Sequence, residues 1–125
     1  MKINKEKNNS KKLLHLILES LENDKAVNIK SINLLDRSSI ADYMVIASGS
    51  STRQVNSMSQ NLVKNLKNKG ISARKPEGLA NSDWVLIDVN EIIIHIFRPE
   101  VREFYKLEQM WEIPILKENK SKNLS

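Results

Sequence analysis

Two apolar runs, Trp84–Val89 and Ile92–Phe97, are separated only by Asn90-Glu91, and they constrain this chain more than any other stretch. Runs of this length, rich in Val and Ile and joined by two polar residues, read as the strands of a hairpin. Asn tolerates the positive φ that a tight turn needs, although Glu91 fits less well. With a two-residue loop, Val89 pairs with Ile92, Ile87 with Ile94 and Val85 with Ile96. That face is wholly aliphatic and belongs under helices. The other face pairs Trp84 with Phe97, Leu86 with His95 and Asp88 with Ile93, a mixture on which a second helical layer would pack poorly. The expectation is a two-layer α/β sandwich with one sheet face half exposed.

The remaining segments supply the helices and further strands. Leu13, Leu14, Ile17, Leu18 and Leu21 recur at helical spacing, so residues 11–23 read as an amphipathic helix. Val27, Ile29, Ile32 and Leu34 suggest a strand whose register breaks near Lys30-Ser31. Tyr43-Met44-Val45-Ile46-Ala47 is a continuous apolar run, as expected of a strand buried on both faces. Gly49 ends it, and Ser51-Thr52-Arg53-Gln54 has the spacing of a capping box. Val55, Met58, Ser59, Leu62, Val63 and Leu66 then form one face of a helix that Gly70 stops. Residues 71–75 read as a short edge strand, which brings the mixed sheet to about five strands. Pro99 opens a closing helix with Val101, Phe104, Leu107 and Trp111 on one side, and Pro114 ends it.

The net charge of +5 directs attention to nucleic acid. Residues 1–12 carry five Lys and one Glu, and residues 117–125 carry three Lys and one Glu, while residues 13–116 hold 12 basic and 13 acidic groups. The basic character is therefore read as belonging to the tails. Residues 1–10 are expected to be a flexible basic tail, 11–112 the folded domain and 113–125 a flexible extension. No apolar stretch is long enough for a membrane span or a signal peptide. The lack of cysteine excludes disulfides and thiolate chemistry and fits a reducing cytoplasm.

Catalytic patterns are sparse. Gly49-Ser50 between strand and helix resembles the turn with which nucleotidyltransferases cradle phosphates. Their metal chemistry also needs a carboxylate pair two residues apart, and here Asp88-Val89-Asn90 has lost one member. His15 and His95 have no partners at zinc-ligand spacing, and no cofactor loop is present. Asp36 and Asp42, flanking Ser38-Ser39, read as turn and strand-start residues. What stands out is the grouping of Trp84, Phe97, Phe104, Tyr105 and Trp111 with Arg98 and Arg102, a composition common at protein interfaces.

Several blocks together resemble the ribosomal silencing factor (RsfS, or Iojap) family. They are Ile40-Ala41-Asp42-Tyr43-Met44-Val45-Ile46, Gly49-x-Ser51-x-Arg53-Gln54-Val55, Glu77-Gly78, Asp83-Trp84-Val85-Leu86-Ile87-Asp88, Ile93-Ile94-His95-Ile96-Phe97, and Arg102-x-x-Tyr105-x-Leu107-Glu108-x-x-Trp111. The resemblance implies a nucleotidyltransferase-like fold without catalytic residues, and a cytoplasmic protein that is not an enzyme and uses no cofactor. It implies docking on the large ribosomal subunit through its ribosomal protein numbered fourteen, which blocks subunit joining and represses translation. Free members of the family are often dimers. The docking patch expected from this reading comprises Trp84, Leu86, His95, Phe97, Arg102, Tyr105, Glu108 and Trp111, with no specific nucleic acid and no membrane as partner. The alternatives are an active nucleotidyltransferase and an RNA-binding domain working through its Lys-rich tails.

Overall fold

The computed structural model describes residues 2–101, with side chains from Asn9 onward. The order of elements is α1 (Lys2–Asn23), β1 (Val27–Asn33), β2 (Tyr43–Ser48), α2 (Thr52–Asn68), β3 (Trp84–Val89) and β4 (Ile92–Phe97). The four strands form one sheet in the order β1-β2-β4-β3. β2 runs parallel to β4 and antiparallel to β1, and β3 runs antiparallel to β4, so the sheet is mixed.

The hairpin has the expected register: Val89 opposite Ile92, Ile87 opposite Ile94 and Val85 opposite Ile96. Asn90 takes φ 50°, the left-handed region in which Asn is tolerated. All six aliphatic side chains of that face are buried. They pack with Leu13, Leu14, Ile17 and Leu21 of α1 and with Val55, Met58, Leu62 and Leu66 of α2. Removing each such side chain from water stabilises the fold by roughly 1.5–3 kcal/mol, which is what holds both helices to one face.

The ends of α2 form as their residues dictate. Ser51 caps the helix by accepting from the Gln54 N–H at 3.1 Å. The Gln54 side chain reaches back to accept from Ser50 N, one residue earlier than a strict capping box requires. It also donates to the Asp24 carbonyl at 3.2 Å, tying this helix to the end of α1. At the other end, Gly70 has φ 80°, its N–H meets Lys67 O, and Ile71 N–H meets Leu66 O. This is the Schellman pattern, with Ile71 packed against the core as its hydrophobic partner.

Three features differ from the sequence reading. First, α1 starts at Lys2 rather than at 11, so residues 2–10, read as a tail, continue the helix. Lys, Glu and Asn carry no apolar stripe there, so periodicity does not reveal them, although Lys and Glu are good helix formers. Ser10 is buried, and its hydroxyl donates to Asp42 Oδ2 at 2.6 Å. Second, the irregularity in β1 lies between Val27 and Lys30, with Asn28 at φ 51°, earlier than the expected break. Three steps of β1 face two of β2 there, the mark of a β-bulge. Third, the described residues form four strands, not about five. Residues 71–75 are an irregular strap along the edge of β3. Arg74 N–H bonds to Asp88 O, and Glu77 pairs both ways with Leu86, so three strap steps span two strand steps. That mismatch, with Pro76 lacking an N–H, prevents a ladder.

Candidate functional site

The face of the sheet away from α1 and α2 carries the residues expected to dock a partner. Alternation along β3 and β4 sends Trp84, Leu86, Ile93, His95 and Phe97 to this side. Their surroundings differ from the expectation of a half-exposed face. Phe97 is fully buried and His95 is 8% exposed, while Trp84, Leu86, Asp88 and Ile93 are half-buried. A second apolar cluster explains the difference. Ile32 and Leu34 from β1 and its exit, Ala41, and Met44 and Ile46 from β2 join Phe97, and Trp84, Ile93 and Val101 pack on them. The expectation rested on β3 and β4 alone. β2, already read as buried on both faces, supplies the apolar neighbours.

Within this cluster the rings form a fixed group. The Trp84 indole N–H donates to His95 Nδ1 at 2.9 Å. Trp84 and Phe97 rings lie 4.9 Å apart at 42°, and His95 stacks on Phe97 at 5.8 Å and 6°. Such tilted and stacked pairs contribute about 0.5–1.5 kcal/mol each beyond the area they bury. Burial lowers the His95 pKa to about 4, so the imidazole is neutral at pH 7. A neutral, hydrogen-bonded His behind a half-exposed Trp orients the indole and offers no acid or base to solvent.

The end of β4 is locked to the start of β3. Arg98 Nε lies 2.8 Å from Asp83 Oδ1, and Arg98 N–H donates to the Asp83 carbonyl at 3.0 Å. From there Pro99 begins a helical turn, as its fixed φ favours. Arg102, Tyr105, Glu108 and Trp111, the other expected docking residues, lie outside the described residues.

Two of the positions considered for chemistry, Gly49 and Asp42, have structural roles. Gly49 sits where the first turn of α2 crosses: a Cβ there would meet Val55 Cγ2 at 2.8 Å. Asp42 anchors the start of β2, with its N–H on the Glu91 carbonyl at 2.7 Å and its carboxylate on Ser10. Asp36 and His15 are exposed. Among the described residues, no three His, Asp or Glu side chains gather as metal ligands, and no helix is long and apolar enough to cross a membrane.

Comparison with known proteins gives a consistent picture. The family model described as "Ribosomal silencing factor during starvation" matches residues 7–125. The ribosomal silencing factor RsfS of Zymomonas mobilis is 56% identical over 99 residues, covering 79% of this chain and 74% of that protein. The RsfS of Haemophilus influenzae is 35% identical over 99 residues, 79% of this chain and 97% of its own length. A crystal structure of a protein from Chromobacterium violaceum superposes with a TM-score of 0.79 at 29% identity, covering 82% of this chain and 85% of that one.

Proposed function

We propose a function from one premise: this chain belongs to the RsfS family of ribosomal silencing factors. In this reading it is a cytoplasmic regulator without catalytic activity. It docks on the large ribosomal subunit through the ribosomal protein numbered fourteen, stands in the way of the small subunit and so lowers translation. The mechanism is steric, and it needs a rigid surface rather than a reactive group.

The observation that carries the docking site is Trp84. Its indole is half-exposed, held by His95 at one edge and by Phe97 across its face. An aromatic side chain already fixed before binding loses little freedom on docking, which is what an interface anchor requires. Leu86 stands beside it on β3 and is also half-buried. His95 and Phe97 support this anchor from beneath, and Arg102, Tyr105, Glu108 and Trp111 are proposed to complete the patch. A nucleotidyltransferase reading has less to stand on, since Asp88 is followed two residues later by Asn90 where that chemistry needs a second carboxylate.

The test is sedimentation of the full chain with isolated large subunits, isolated small subunits and joined ribosomes. Selective co-migration with large subunits, and fewer joined ribosomes formed when the protein is added first, is the expected result. Equal binding to both subunits, or to neither, overturns the proposal. Sedimentation of the free chain in the same experiment reads whether it is a dimer.

A further inference from the structure

Between Asp42 and Glu77 the chain has no Asp or Glu and six Lys or Arg. The whole chain has 20 basic and 15 acidic residues, so everything outside that run, both tails included, holds 14 basic and 15 acidic. This segment of the folded body therefore carries six positive charges and no negative one, as much net charge as the two tails together, and the fold turns it into a surface. β2, within the run, is buried and uncharged, so the cations fall on α2 and the strap: Arg53, Lys64, Lys67, Lys69, Arg74 and Lys75. All six are exposed. None has an ion pair with a described residue.

The backbone holds most of this charge in place. Lys64 and Lys67 lie three residues apart on α2, and Lys69 is its C-cap. The bond from Ile71 N–H to Leu66 O turns the chain off the helix, and Arg74 N–H to Asp88 O fixes the strap along β3. The rest of the outer side of α2 is uncharged and polar: Ser57, Gln60, Asn61, Asn65 and Asn68 are all exposed. Near its N-terminal half, an open groove of about 530 Å³ runs between Arg53, Gln60 and the 79–82 loop. Acidic groups border this face along α1, where Glu19 lines a groove with Lys69 and Asp24 accepts from Asn61, and at the end of the strap, where Glu77 is exposed.

We propose that the outer face of α2 and the strap form a sequence-independent docking surface for the phosphodiester backbone of duplex RNA. Ammonium and guanidinium groups on a fixed scaffold, interleaved with amide and hydroxyl groups, suit phosphate oxygens and ribose hydroxyls. A membrane surface would need apolar side chains to insert, and among the described residues the exposed large apolar ones, Val27 and Ile40, lie on β1 and the β1–β2 connection instead. A protein interface would need aromatic or apolar anchors, and this face has none exposed. The choice of RNA over DNA rests on the ribosomal reading above. Since Trp84 lies on the opposite face of the sheet from α2, both surfaces can be engaged at once.

The test is fluorescence polarisation of a labelled RNA duplex of about 20 base pairs, titrated with the full chain at several salt concentrations between roughly 50 and 200 mM. One variant, K64Q/K67Q/K69Q/R74Q/K75Q, neutralises the face. A control, K5Q/K7Q/K117Q/K120Q/K122Q, removes the same number of charges from the ends of the chain. The expected result is at least about a tenfold loss of affinity and a shallower salt dependence for the face variant, with a smaller loss for the control. The reverse ranking, or no duplex binding by the unaltered chain, overturns the proposal. So does equally tight, face-dependent binding to phosphatidylglycerol vesicles or to polyglutamate. Circular dichroism verifies that each variant folds. Face-dependent duplex binding without large-subunit binding would remove the ribosomal reading and leave this surface standing; large-subunit binding indifferent to the face variant would do the opposite.

Discussion

The indole nitrogen of Trp84 and the Nδ1 atom of His95 share a hydrogen bond of 2.9 Å between neighbouring strands. An indole N–H can only donate, so Nδ1 accepts, and the neutral imidazole carries its proton on Nε2. Protonating Nδ1 would remove this acceptor and charge a buried ring.

Stability is therefore expected to fall in mild acid. Burial lowers the His95 pKa to about 4 in the folded chain, against an ordinary value of 6.5. The unfolded chain takes up the proton first as pH falls. The contribution of His95 is fully present above pH 6.5 and is lost as pH drops towards 4, a cumulative loss of roughly 3 kcal/mol. Urea midpoints measured at pH 7 and at pH 4.5 should differ more for the natural chain than for His95→Gln, whose amide oxygen accepts from Trp84 but does not titrate. Equal pH dependence in both proteins would refute the role given to His95.

Trp84→Ala is expected to weaken large-subunit binding by about thirtyfold or more, the effect of losing an anchor worth roughly 2 kcal/mol. Trp84→Phe keeps a ring against Phe97 and should lie between the two. Binding is read by sedimentation, with circular dichroism showing that each variant is folded. Unchanged binding by folded Trp84→Ala would mean that the anchor lies elsewhere.

Gly78→Ala should destabilise the domain by about 2 kcal/mol or more, because the backbone has φ 93° and a Cβ would sit 2.2 Å from the Trp84 carbonyl oxygen. Gly70→Ala provides the contrast. Its φ is 80° but nothing lies within 4 Å of the new methyl group, so only the conformational cost of about 1 kcal/mol applies. Chemical denaturation gives both numbers. Amide exchange at Glu77 and Leu86 should accelerate in Gly78→Ala alone as the strap lifts.

Ser10→Ala removes the hydroxyl that donates to Asp42 Oδ2. A buried donor to a carboxylate contributes about 1.5–3 kcal/mol. The loss should appear chiefly as faster amide exchange in the first turns of α1, since this bond holds that part of the helix to the start of β2. Uniform acceleration along α1 would argue against such a local tie.

Much of the sheet was legible because burial writes itself into alternation. Val85, Ile87 and Val89 opposite Ile96, Ile94 and Ile92 could face only a helical layer, and the register followed from a two-residue turn. The ends of α2 were equally plain, since Ser51, Gln54 and Gly70 are residues whose local hydrogen bonding demands a helix boundary. Other features were hidden for physical reasons. The early turns of α1 have no apolar stripe to betray them. The strap has strand-like composition but a spacing that no ladder accepts. The burial of His95 and Phe97 depends on Met44, Ile46 and Ile32, which only the tertiary arrangement brings to them. The cationic face was present as an acid-free run, but dividing the charge into tails and body averaged it away.

The parallel pairing of β2 with β4 has a bearing on how the domain assembles. β2 can meet β1 across the short connection 34–42, but its other edge must wait until the segment 49–91 has been arranged. Closing that longer loop costs entropy before any contact between the two strands repays it, so the step is expected to limit the folding rate. Until it occurs, a strand whose six residues are all buried in the folded domain has one open edge. The interval in which this chain is most prone to stick to its neighbours is thus set by the time β4 takes to arrive, and residues such as Val45 and Ile94, matched across that last junction, govern how long it lasts.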